Sequence, residues 1–144
     1  RSILRKLRVG DVIVTNCITI NMETTFHEIM RLMRTTNADA FPVLNKDGEF
    51  VGMIGLRQIS KALQNEDVQD HLFARDLVLS DQYLLTLNKD LLEVYNEMRV
   101  GEQDCLPVVA EGDSKKLIGI VTRFHVMYRY NKELVLLQGD KKVQ

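Results

Sequence analysis

At 144 residues, 45% hydrophobic and 27% charged, the chain carries the apolar and charged content of one globular unit. A net charge of -1 supplies no basic surplus of the kind that displaces counterions, which excludes a general nucleic-acid binder. No run of ~18 apolar residues occurs and no secretory signal is visible, so this stretch is not expected to insert into a membrane.

The chain opens on a basic cluster, Arg1, Arg5, Lys6 and Arg8, which reads as a solvated helix face or as a lipid or phosphate contact. It begins without an initiator methionine and stops in the polar run Gln138–Gln144, the pattern expected of a piece of a larger protein. A short apolar-acidic segment, Val9-Gly10-Asp11-Val12-Ile13, leads to a strand, Ile18-Thr19-Ile20-Asn21. Phe26, Ile29, Met30 and Met33 then fall at i, i+3, i+4 and i+7, one apolar stripe of a helix. Thr25 and Glu28 stand where a capping box would open that helix, the threonine accepting from a free N–H and the glutamate reaching back. Two strands follow, Ala40-Phe41-Pro42-Val43-Leu44 and Val51-Gly52-Met53-Ile54, then a short amphipathic helix from Leu56 to Leu63.

From residue 74 the same series begins again. Ala74-Arg75-Asp76-Leu77-Val78 matches the opening, and Leu85-Thr86-Leu87-Asn88 matches the first strand. Leu91, Val94, Tyr95 and Met98 repeat the helix stripe behind Asp90 and Glu93. Pro42-Val43 recurs as Pro107-Val108, an offset of 65; Gly52 recurs as Gly119, an offset of 67, because the second turn is two residues longer. Phe124 to Tyr130 reads as the second short amphipathic helix. A period this long marks two copies of one supersecondary unit, each strand, helix, strand, turn, strand, helix. We place the copies at residues 8–65 and 72–131, with a polar C-terminal tail over 132–144. Gly52 and Gly119 are expected to be glycine because another backbone approaches closely there.

The remaining reactive residues point away from catalysis. Cys17 and Cys105 lack any metal-type or CxxC spacing and read as buried, reduced thiols, with a bridge as the alternative. His27 reads as exposed, and His71 lies near the linker between copies. No zinc-protease, nucleophile-elbow or phosphate-loop motif occurs, so the chain is not expected to be an enzyme or to hold a metal.

The repeated hydrophobic-Pro-Val-hydrophobic, turn, hydrophobic-Gly-hydrophobic-hydrophobic pattern, behind a helix ending in Met33 or Met98, resembles the CBS domain. Two copies at this spacing resemble a CBS pair, or Bateman module, over about residues 8–131. The resemblance implies an α+β fold in which each repeat is a small, mostly three-stranded sheet with two helices, the two sheets packed face to face about a pseudo-twofold axis. It also implies clefts that hold adenine nucleotides or S-adenosyl groups, read by a hydroxyl and an aspartate after the glycine strand.

Here the chain departs from that pattern. The first copy reads Gly52-Met53-Ile54-Gly55-Leu56-Arg57-Gln58, with neither hydroxyl nor acid. The second reads Gly119-Ile120-Val121-Thr122-Arg123-Phe124-His125, keeping the hydroxyl but placing His125 where the acid belongs. Gln58 and His125 can hydrogen-bond a ribose hydroxyl without the strength of a charged acceptor. Arg57 and Arg123 suit phosphate or simply solvent, and Gly55 suits a tight strand-to-helix turn. The implied site is therefore Thr122, Arg123 and His125, lined by Ala38, Asp39 and Ala40, with Gln58 in the other copy. ATP, ADP or AMP would bind weakly, if any ligand binds.

The run Phe124-His125-Val126-Met127-Tyr128-Arg129-Tyr130-Asn131-Lys132-Glu133-Leu134 is similar to the exit helix of the cytoplasmic C-terminal CBS pairs of bacterial ClC chloride channels and transporters. That resemblance implies a regulatory, dimerising domain of a membrane transport protein, covalently attached to a transmembrane domain and lying in the cytoplasm. The alternatives are a nucleotide-sensing pair of a magnesium or osmolyte transporter, one set into a soluble enzyme such as an IMP dehydrogenase, or a ligand-free scaffold. A homodimer is expected through the helices after Leu56 and Phe124, using Ile59, Leu63, Val126, Met127 and Tyr130.

Overall fold

The computed structural model describes residues 2–143, so Arg1 of the basic opening and Gln144 of the tail lie outside the described residues. The fold is mixed α+β with two small sheets. The first sheet is β1 (Ile20–Asn21), β2 (Ala40–Leu44) and β3 (Phe50–Gly55), in that order. β1 runs parallel to β2 with Ile20 opposite Val43, and β2 runs antiparallel to β3 with Val43 opposite Gly52. The second sheet has two strands, β4 (Cys105–Ala110) and β5 (Asp113–Thr122). Its expected third strand shrinks to a single parallel bridge between Leu85 and Val108.

That bridge corrects the register read from sequence. Val108 is Val43 moved by 65, so Leu85 is the counterpart of Ile20, whereas the motif match had paired Ile20 with Leu87. The error was two residues, one full strand period, and so left the apolar face unchanged.

Among the described residues six α-helices join the sheets, α1 (Ser2–Lys6), α2 (Phe26–Thr35), α3 (Leu56–Leu63), α4 (Ala74–Leu77), α5 (Leu91–Gly101) and α6 (Arg123–Val143), with 3-10 turns at Val9–Asp11 and Glu66–His71. α2 buries Phe26 and Ile29 and α5 buries Leu91, Val94 and Met98, the stripes expected from their spacing. Thr25 accepts from the Glu28 N–H at 3.1 Å and Asp90 from the Glu93 N–H at 2.9 Å. The reciprocal half of each capping box is replaced, because both glutamates engage neighbouring side chains. Glu28 pairs with Arg31, while Glu93 accepts from Lys89 at 2.9 Å and from the Tyr83 hydroxyl.

The Tyr83 hydroxyl first, and Lys89 second, hold the Glu93 carboxyl below the usual carboxylate range. A depressed carboxyl stabilises the fold above the ordinary carboxylate range and loses that contribution as pH falls through its folded value. Glu93→Gln is therefore expected to cost under ~1 kcal/mol at pH 7, the cluster being exposed and screened. The gap to wild type should close in melts run near pH 3; a gap independent of pH would show the cluster is electrostatically inert.

The chain divides into two compact units that do not coincide with the sequence copies. One comprises the segment ending at Thr15, Tyr83–Gly112 and the segment from Ile118; the other comprises Asn16–Gln82 with Asp113–Leu117. The cause is a reciprocal exchange of the opening segments. In the first of these units Val9 N–H donates to the Lys89 carbonyl (2.9 Å), Gly10 to Leu87 (3.1 Å), and Val14 and Ile120 exchange bonds at 2.8 and 2.9 Å. In the other, Ala74 donates to Thr24 (2.8 Å), Arg75 to Met22 (3.0 Å), and Leu79 and Met53 exchange bonds at 2.8 and 2.9 Å. Each copy's opening thus completes the unit built on the other copy's sheet.

Each unit has its own apolar core. Leu85, Leu91, Val94, Leu106, Val108 and Val121 centre one, with Leu4, Leu7 and Val9 brought by the exchanged opening. Phe26, Ile29, Phe41, Val43 and Ile54 centre the other, with Ala74 brought likewise. Two expectations for the helices change. Ile59 and Val126 are buried in these cores rather than offered to a second molecule. α6 runs 21 residues, so the segment after Asn131, read as a polar tail, continues the helix to Val143.

Candidate ligand-binding turns after β3 and β5

β5 ends at Thr122 and α6 starts at Arg123, so Thr122 caps that helix. Its hydroxyl oxygen accepts from the His125 N–H at 3.1 Å and lies 2.6 Å from His125 Nδ1. The hydroxyl and the ring nitrogen share one hydrogen bond, whose direction is set by the imidazole tautomer. Arg123 N–H donates to the Asp104 carbonyl at 2.8 Å, and its guanidinium lies 3.6 Å from the Asp104 carboxylate. Both of those side chains are largely exposed. Phe124 is 71% exposed, edge-on to His125 and stacked on Tyr128 at 6.3 Å. The turn therefore presents a hydroxyl, a cation, an aromatic face and an imidazole at the start of a long helix, whose N-terminus favours negative charge.

The matching turn of the other unit is built differently. Gly55 ends β3, and its N–H donates to Gln58 Oε1 at 2.8 Å. Ala40 stands opposite Gly55 across the β2–β3 ladder. Gly55 has φ -122, ordinary extended backbone, and an added Cβ would come no closer than 3.5 Å, to Gln58 Oε1. The turn does not need glycine, contrary to the sequence reading; what Gly55 removes is the hydroxyl that Thr122 supplies in the other copy.

The seven residues singled out from sequence thus divide: Thr122, Arg123 and His125 belong to one compact unit, and Ala38, Asp39, Ala40 and Gln58 to the other. Thr122, Arg123 and His125 share the β5–α6 turn, while in the other unit Ala40 and Gln58 meet at Gly55. The two replacements for the missing acid, Gln58 and His125, both direct a polar atom into their own helix start. Sequence reasoning missed Asp104, which holds Arg123; its offset of 65 from Asp39 was the available signal. Cys17 and Cys105 are not joined in a disulfide and are half-buried rather than fully buried, and burial pushes the Cys17 thiol up. Among the described residues no group of three or more His, Cys, Asp and Glu side chains is placed to hold a metal ion.

Comparison with known proteins places this architecture. An uncharacterised protein of Methanocaldococcus jannaschii is 28% identical over 132 residues, covering 88% of this chain and 40% of the relative. The chain therefore spans well under half of that relative's length. Among solved structures, a CBS domain pair in complex with 5'-methylthioadenosine and S-adenosyl-L-methionine superposes with a TM-score of 0.76 at 20% identity, over 88% of this chain and 98% of that one. The CBS domain of a bacterial CNNM/CorC family magnesium transporter in complex with ATP superposes with a TM-score of 0.71 at 19% identity, over 86% and 87%. The CBS domain family profile matches residues 9–65 and again 74–132. Two successive matches, one on each copy of the repeat, establish that the chain belongs to the CBS domain family and carries the domain as a tandem pair.

Proposed function

We propose that this pair, copies 8–65 and 72–131 together, is a regulatory and dimerising module of a larger protein that binds an adenine nucleotide weakly. The observation that carries the reading is the Thr122 turn: a hydroxyl and Arg123 at the N-terminus of a 21-residue helix suit a phosphate. The solved CBS pairs holding S-adenosyl compounds and ATP support the ligand class. Weakness follows from His125 and Gln58, which lack a carboxylate's acceptor charge and are already bonded within their own turns at 2.6 and 2.8 Å. Ligand binding would bias the attached partner between two states, for which a differential affinity of ~1–3 kcal/mol suffices.

For the host we propose a membrane transport protein of the chloride-channel type, with this module on its cytoplasmic side. The Tyr130-Asn131 and Leu134 run of α6 supports it, while the magnesium-transporter relative supports a transport host of another cargo. No helix among the described residues is long and apolar enough to cross a membrane, so the spanning part would lie elsewhere in the protein. About ten apolar spans in the full-length gene would support the channel host. Dimerisation is proposed through the faces of α3 and α6 left exposed or half-buried, Leu63, Met127 and Tyr130; the last two line a groove of about 440 Å³ with Leu4, Leu92 and Tyr95.

A thermal-shift series with ATP, ADP, AMP and S-adenosylmethionine tests the ligand reading. Ligand at ten times its Kd stabilises by about 1.4 kcal/mol, so a clear rise in melting temperature is expected only at millimolar ligand. No rise with any of the four at ~10 times a millimolar Kd would leave the ligand-free scaffold.

A further inference from the structure

Two aromatic side chains of α6 stand in the open beside the Thr122 turn. Phe124 is 71% exposed and Tyr128 57%, one helical turn apart, with their rings stacked at 6.3 Å. Val126, between them in sequence, is fully buried in the core, so the pair lies on the face of α6 turned away from it. Aromatic neighbours at i, i+4 add little to a helix, and rings left in water gain nothing from burial. Packing within this unit does not account for them. The two copies supply a comparison. Moved by the offset of 67 that carries Gly52 onto Gly119, Phe124 corresponds to Arg57 and Tyr128 to Lys61, both exposed. A charged residue therefore serves at each of these solvent-facing stations. The rings occur only in the copy that also has the hydroxyl, Thr122 where the first has Gly55.

The rings continue the turn already described, all of it within one compact unit. Phe124 lies edge-on to His125 with 5.3 Å between ring centres, and His125 Nδ1 is 2.6 Å from the Thr122 hydroxyl. At 1.5 Å per residue, Phe124 sits about 3 Å and Tyr128 about 9 Å along the axis from Thr122. A ligand with its phosphate at the helix start meets the imidazole next and the rings beyond it. What fits a bare aromatic surface is another flat π-system, and stacking holds a nucleobase without reading its edge. We propose that Phe124 and Tyr128 form the base platform of the nucleotide site, the purine stacking on them while the phosphate lies at Thr122 and Arg123. This rests on the reading that the chain binds an adenine nucleotide, and it adds the surface that takes the base.

The test is proton NMR of ATP titrated with the whole chain, with inorganic triphosphate as the probe that lacks a base. A base stacked on a ring is shielded by it, so adenine H2 and H8 are expected to move upfield on binding. Phe124→Leu keeps an apolar side chain without the ring. It is expected to abolish that shift and to weaken ATP by about tenfold, within the range for one stacked base. Triphosphate should bind wild type and Phe124→Leu alike, and Phe124→Trp should keep the upfield shift. ATP that binds wild type without an upfield shift overturns the proposal, and so does a Phe124→Leu protein that binds ATP as wild type does. In both cases the nucleotide reading survives. A Phe124→Leu protein altered only in its mass by light scattering also overturns it, and makes the rings a contact between copies. Wild type that does not bind ATP removes both readings.

Discussion

Gly52→Ala is expected to destabilise the chain by about 3 kcal/mol, within the range for overpacking a backbone contact. A Cβ on Gly52 would stand 2.2 Å from the Leu79 carbonyl oxygen and 2.7 Å from Val78 Cγ2, and the nearer atom is backbone. Relief requires moving the segment that Leu79 anchors, which breaks the paired bonds between Leu79 and Met53. Gly119 repeats the situation, with a Cβ 2.4 Å from the Val14 carbonyl oxygen, where Val14 exchanges bonds with Ile120. Gly119→Ala should therefore cost a similar amount. Gly55→Ala, whose Cβ would have 3.5 Å of room, should be nearly neutral and serves as the control. In melts the first two variants should fall by roughly 10 °C, at about 3 °C per kcal/mol for a chain of this size. If either melts with wild type, the exchanged openings do not dock as described.

Those two glycines also show what the sequence could carry. The expectation that another backbone approaches Gly52 and Gly119 is met at both, because a strand glycine flanked by buried residues such as Met53 and Ile54 has few other reasons to be there. Which backbone approaches could not be read. Val9–Ile13 and Ala74–Val78 are nearly interchangeable as apolar segments, and their choice of the other copy's sheet is a long-range decision that local pattern does not encode. The register error at Leu87 has a related origin: Thr86 and Asn88 mimic Thr19 and Asn21, but the bridge follows Leu85, which is fully buried, and leaves Leu87 42% exposed. The helix expected to end at Tyr130 runs on to Val143, because the polar stretch after it still holds good helix formers, Lys132, Glu133, Leu134, Leu136 and Leu137. At the candidate site the residue types were legible and their partners were not. Nothing in the string of letters says that His125 turns back onto Thr122, or that Phe124 stacks on Tyr128.

His125→Asp is expected to tighten adenine-nucleotide binding by about 10- to 100-fold, the equivalent of the ~1.5–3 kcal/mol that a hydrogen bond to a charged acceptor contributes. In the wild type the imidazole sits 2.6 Å from the Thr122 hydroxyl, so its Nδ1 and that hydroxyl are engaged with each other. A carboxylate at the same position has acceptor sites enough for both ribose hydroxyls, and replacing the imidazole removes its hold on the Thr122 hydroxyl. Negative charge in the first turn of α6 also agrees with the helix dipole, so the substitution should not unsettle the fold. Gln58→Asp should gain less, because Gly55 stands where a hydroxyl would be needed and its N–H already claims the side-chain oxygen at 2.8 Å. Titration with ATP and with a 2',3'-dideoxy analogue separates the causes. The gain at residue 125 must appear with ATP and vanish with the analogue, since only ribose hydroxyls distinguish them. An equal gain with both would mean that the histidine had merely obstructed the turn, and that ribose is read by other residues.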